Sequence, residues 1–90
     1  MRIVRSPFPN KKWRAIFQDG THTDFGDSNY QDYTQHHSIE RRRLYRIRHE
    51  KDLETHNPKA KGYLSYYILW GNSTSLQENI KEYKKRFGDL

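Results

Sequence analysis

Five arginines stand close together in the middle of the chain: Arg41, Arg42, Arg43, Arg46 and Arg48. A guanidinium presents a planar fork that grips a carboxylate or a phosphate through two parallel hydrogen bonds. On a helix these five spread over more than half the circumference, so some of them face the protein or a partner rather than open water. Arg42, Arg43 and Arg46 are read as the ones that meet a partner. Arg41 and Arg48 are read as paired internally with Asp24, Asp27 or Asp32, and Tyr45 and His49 join them on that inner face. Lys59, Lys61, Lys84 and Lys85 add further cations among tyrosines, a mixture suited to an acidic protein surface or a phosphate backbone. The plainer alternative is a solvated basic face.

Other chemistries find less support. The histidines are His22, His36, His37, His49 and His56. Adjacent His36 and His37 point to different faces of any regular element, and there is no His-Glu-x-x-His spacing or carboxylate triad, so no metal is expected. His36-His37 ahead of His56-Asn57 is only superficially like a His-Asn-His nuclease, because the spacing is irregular and no second helix carries a matching ligand. Ser65 lies in no nucleophile elbow, and no glycine-rich loop is present to cradle a nucleotide. The expectation is a protein without catalytic residues, cofactor or small-molecule substrate.

Composition bounds the rest. Ninety residues make one domain, with a net charge of +6 and only 32% hydrophobic residues. Seven Tyr, four Phe and two Trp supply much of the apolar material, and each aromatic buries roughly 150–250 Å². There is no Cys, which removes disulfides and thiolate metal sites and fits a reducing compartment. Residues 1–9 are too short and polar for a signal peptide. The longest apolar run, Tyr66 to Trp70, falls far short of the roughly 20 residues a membrane span needs, so a soluble protein without a transmembrane segment is expected.

The elements that position these residues follow from periodicity. Pro7 and Pro9 predict an extended basic arm over residues 1–11, followed by a single domain over 12–90. Lys12 to Gln18 alternates as a half-buried strand; Asp19-Gly20 then signals a tight turn with both residues at positive φ, and Thr21 to Phe25 forms the facing strand. Ser38 is a candidate N-cap for a helix carrying Leu44 and Ile47 on one face, which fades before Asn57-Pro58. Tyr63 to Trp70 reads as a short helical segment with Gly71 as its C′ residue. Ser75 and Glu78 match a capping box for a last helix with Leu76, Ile80, Tyr83 and Phe87 on its buried side. The fold class is α+β: an N-terminal β-hairpin packed against two main helices plus a short third helical segment.

A series of short motifs runs through this pattern: Lys12-Trp13 with Phe17 and Gly20, Phe25-Gly26, Asp32-Tyr33-Thr34, Arg41-Arg42 with Tyr45, and Arg48-His49. It continues with Gly62-Tyr63-Leu64-Ser65, Leu69-Trp70-Gly71 and the helix from Tyr83 to Phe87. In this order, over residues 12 to 87, the series resembles a family of small proteins of giant and other large double-stranded DNA viruses of algae and amoebae. The resemblance carries over no catalytic or binding residue. It implies a virion setting, and with it a minor capsid or other virion-associated structural protein that binds capsid or other virion proteins. The alternative is a non-specific DNA-binding or genome-packaging protein that uses the same arginines on nucleic acid.

Overall fold

The computed structural model describes all 90 residues, and the fold is α+β. Three antiparallel strands come first: β1 (Arg2–Arg5), β2 (Lys11–Ile16) and β3 (His22–Asp27), in the order β1-β2-β3. Helices follow: α1 (Tyr33–His36), α2 (Ile39–His49) with a 3₁₀ turn over Glu50–Thr55, α3 (Lys61–Leu64) running into a π-helical turn over Ser65–Leu69, and α4 (Leu76–Phe87). No helix is long and apolar enough to cross a membrane.

The expected arm is instead an edge strand. Arg2 to Arg5 pairs with β2 in the register Arg2↔Ile16 to Arg5↔Trp13, and the two prolines sit in the intervening turn, closed by Lys11 N–H donating to the Phe8 carbonyl at 3.1 Å. The prolines correctly forbid a helix here; the β-branched pair Ile3-Val4 between them and Met1 then favours a strand. The β2–β3 connection also differs from expectation. Phe17 and Thr21 close a three-residue loop (Phe17 N–H to Thr21 O, 2.9 Å) in which Gly20 alone has positive φ, +87°. This is the hairpin geometry of a type I turn followed by a glycine bulge.

One face of the sheet supplies Ala15, Phe17 and Phe25 to the core, and Tyr63, Leu64, Ile68, Leu69 and Tyr83 cover them from the C-terminal helices. The α4 helix behaves as its periodicity predicts. Tyr83 is buried while Leu76, Ile80 and Phe87 pack against the same cluster. The Ser75 hydroxyl accepts from Glu78 N–H at 3.3 Å, but Ser75 N–H donates to Ser73 Oγ at 2.9 Å rather than to the Glu78 side chain, so half of the capping box forms.

The α2 helix begins as expected, with Ser38 Oγ accepting from Arg41 N–H at 3.2 Å, and its apolar face turns away from the core. None of its residues is fully buried, and Leu44, Ile47 and Ile39 face outward at 46%, 60% and 71% exposure. Its inner side consists of Arg42, Tyr45, Arg46 and His49, all half-buried.

Candidate anion-binding cleft

What draws the arginines inward is the end of the core helical segment that follows α2 in the chain, α3 with its π turn. In the π turn Trp70 N–H reaches back five residues to the Ser65 carbonyl (3.0 Å), so the last carbonyls of the segment are left without regular helical donors. Arg46 Nη1 donates to the Trp70 and Tyr66 carbonyls at 2.7 and 3.2 Å, and Arg42 Nε donates to the Gly71 carbonyl at 2.7 Å. The Arg46 guanidinium also lies 4.1 Å over the Tyr66 ring. Buried Asn79 completes the cap, donating to the Ile68 and Ser73 carbonyls at 2.8 and 2.7 Å and accepting from Ser73 N–H at 3.0 Å. Gly71 is required for closeness rather than for a left-handed turn. Its φ is not positive, but a Cβ there would stand 2.2 Å from the Tyr67 carbonyl and 2.8 Å from the Asn79 side chain.

The expected division of the arginines is therefore reversed. Arg42 and Arg46 are structural, and desolvation holds the Arg46 guanidinium below the usual arginine range. Arg43 is engaged on the surface by Glu40 at 2.7 Å. Arg41 and Arg48 make no ion pair: two of the proposed acids, Asp24 and Asp32, already hold other cations, and Asp27 lines the same cleft without pairing with either arginine. Asp24 is the cross-strand neighbour of Arg14 and takes its guanidinium at 2.9 and 3.1 Å. Asp32 caps α1 and holds Lys12 at 2.7 Å, and Asp27 accepts from Asn29 N–H at 2.9 Å.

Arg41 and Arg48 instead line a cleft of about 1010 Å³. One wall is α2 and the turn after it, with Leu44, Tyr45, His49 and Asp52; the other is the β2–β3 edge and its following loop, with Lys11, Lys12, Asp27 and Tyr30. Phe25, Leu69 and Trp70 lie between them. Of the cations, Lys12 is neutralised by Asp32, whereas Lys11, Arg41, Arg48 and Lys61 make no ion pair.

The α2 wall is stiffened by stacked rings. Tyr45 lies 4.2 Å from Trp70 at 5° and 4.1 Å from His49 at 21°. Tyr45 and His49 are both half-buried on this side of the helix. Burial pushes the Tyr45 hydroxyl up to about 12, so it stays protonated. His49 Nδ1 is 2.9 Å from Asp52. Ser65 also lines the cleft, but no hydrogen bond joins its hydroxyl to His49, so Ser65, His49 and Asp52 do not form a nucleophile-base-acid chain.

The other sequence candidates scatter. Lys61 reaches the cleft. Lys59 pairs with Asp19 at 2.7 Å and lies 5.2 Å over Phe17. Lys84 and Lys85 are on α4, away from the cleft lining. No group of three or more acidic or histidine side chains is placed to hold a metal ion. Tyr30 and Lys11 were not singled out by spacing, since each is an isolated polar-loop or strand-end residue; only the fold brings them opposite α2.

A small α+β domain with a cationic, ring-walled cleft is what these features define. Residues 1–49 match the family of unknown function DUF5754, and the chain belongs to that family. Neither a curated protein nor a solved structure matches the chain.

Proposed function

We propose that this protein is a non-enzymatic binding component whose cleft grips an acidic segment of a partner protein. In the virion setting that the sequence resemblance implies, that partner is a capsid or other virion protein. The observation that carries the reading is the unpaired set Arg41, Arg48, Lys11 and Lys61 around one cleft. Every other strongly positioned cation of α2 already has a partner, so these are the charges still free to bind.

Nucleic acid is the second reading, and Tyr30, 71% exposed at the rim, supports it as a stacking platform for a base. The acidic-protein reading is preferred because Asp27 and Asp52 interrupt the positive lining. A phosphodiester strand carries a charge at every nucleotide and would meet these carboxylates, whereas a protein segment can place neutral or basic residues there.

The test is a titration of the full chain, followed by tryptophan fluorescence, with an acidic peptide and with single-stranded DNA of equal charge. The expected result is tighter binding of the peptide, lost in Arg41→Ala/Arg48→Ala but kept in Arg43→Ala. Tighter DNA binding, with a steep salt slope, would transfer the function to the second reading. No binding of either, or binding indifferent to Arg41 and Arg48, would overturn both.

A further inference from the structure

The outward face of α2 carries Glu40, Leu44, Ile47 and Lys51, the last in the 3₁₀ turn that continues the helix. All four are exposed. Their 4-3-4 spacing is that of the seam through which two helices pack at a shallow angle. The row is also its own complement when read backwards. A twofold axis between Tyr45 and Arg46 places Leu44 against Ile47 of a second copy, and Glu40 against Lys51 of that copy, each pairing occurring twice. Arg43 and Glu50, on one flank of the row, meet crosswise in the same arrangement.

We infer that this face is an interface between two copies of the chain, with α2 packed antiparallel on α2. A second copy would cover Ile47 and the outer side of Leu44, whose other side forms part of the cleft wall, so the helix can turn Arg42 and Arg46 inward without leaving an apolar stripe in water. The apolar centre is small beside the roughly 800 Å² per partner of a standard interface. On the opposite flank Arg41 of one copy lies beside Arg48 of the other, and this repulsion also keeps the pair weak. The dimer is therefore concentration-dependent. It requires no acidic ligand, so it stands or falls separately from the function proposed for the cleft.

Analytical ultracentrifugation of the full chain from about 10 μM to about 1 mM, a range that brackets weak association, tests it. The native protein passes from monomer to dimer over this range. Ile47→Glu remains monomeric with an unchanged circular dichroism spectrum. Glu40→Lys and Lys51→Glu each weaken association about tenfold, since the twofold axis counts each change twice. The double variant Glu40→Lys/Lys51→Glu recovers to within about threefold of the native protein, because the swapped pairs attract again. A native chain that stays monomeric, a dimer untouched by Ile47→Glu, or a double variant no stronger than the singles would each overturn the proposal.

Discussion

The two long helices, α2 and α4, solve the same packing problem in opposite ways. In α4 an apolar row faces the sheet-covering core and the charges of Lys81, Lys85 and Arg86 face out. In α2 cations and rings face in, and Leu44 and Ile47 face out. The difference lies in what each helix packs against. Residues of the core cluster offer α4 an apolar surface, so burial of hydrocarbon sets its orientation. The surface offered to α2 is a helix end with bare carbonyls and aromatic faces, and guanidinium is the side chain that satisfies both at once. Amphipathicity is thus a statement about the partner surface, and a helix docked on carbonyls inverts it.

This contrast can be broken from either side. The largest effect belongs to α4. Tyr83→Ala removes a buried ring whose hydroxyl donates to the Pro58 carbonyl, and should cost about 4 kcal/mol in urea unfolding, as for other large core truncations. On α2, Arg46→Ala leaves the Trp70 and Tyr66 carbonyls without their donor and should cost about 2 kcal/mol. Arg46→Lys should recover less than half of that loss, because a single ammonium cannot reproduce the fork or the stacking on Tyr66. If Arg46→Ala were neutral, α2 would be held by its rings alone.

The smallest effect concerns the start of α2. His36 Nδ1 accepts from Ser38 N–H at 2.9 Å, and its Nε2 is buried with no partner. Desolvation, then nearby Arg41, lowers its pKa below the ordinary 6.5. The unfolded chain then binds the proton more readily than the folded one. This contribution is therefore complete above about pH 6.5 and lost as the pH falls below it. Thermal melts at pH 7.5 and pH 5 should show a lower midpoint in acid. That difference should shrink in His36→Asn, which keeps an acceptor for Ser38 but does not titrate.

Much of the architecture was legible in the residues. The β2–β3 hairpin, the Ser38 and Ser75 caps and the face of α4 follow from local chemistry that needs no distant partner. The strand β1 was not legible, because its pairing depends on a return through a proline turn and the prolines dominate the local signal. The arginine assignment failed for a non-local reason as well. Arg14 and Lys12 are placed beside Asp24 and Asp32 by strand register and by the cap of α1, which takes two of the three expected acids from Arg41 and Arg48. Asn79 reads as an ordinary polar residue in a helix, and only the carbonyls released by the π turn give it a role. Gly71 reads as a helix stop, yet it is fixed by the close approach of Tyr67 and Asn79.

The core joins the two ends of the chain, and this has a consequence during synthesis. The strands that carry Ala15, Phe17 and Phe25 are made first, but the side chains that cover them lie between Tyr63 and Tyr83. At about 5–20 residues per second, the sheet's apolar face leaves the ribosome some seconds before its cover. The apolar face spends that interval without its cover, and a ribosome stalled before α4 emerges is expected to present an aggregation-prone nascent chain.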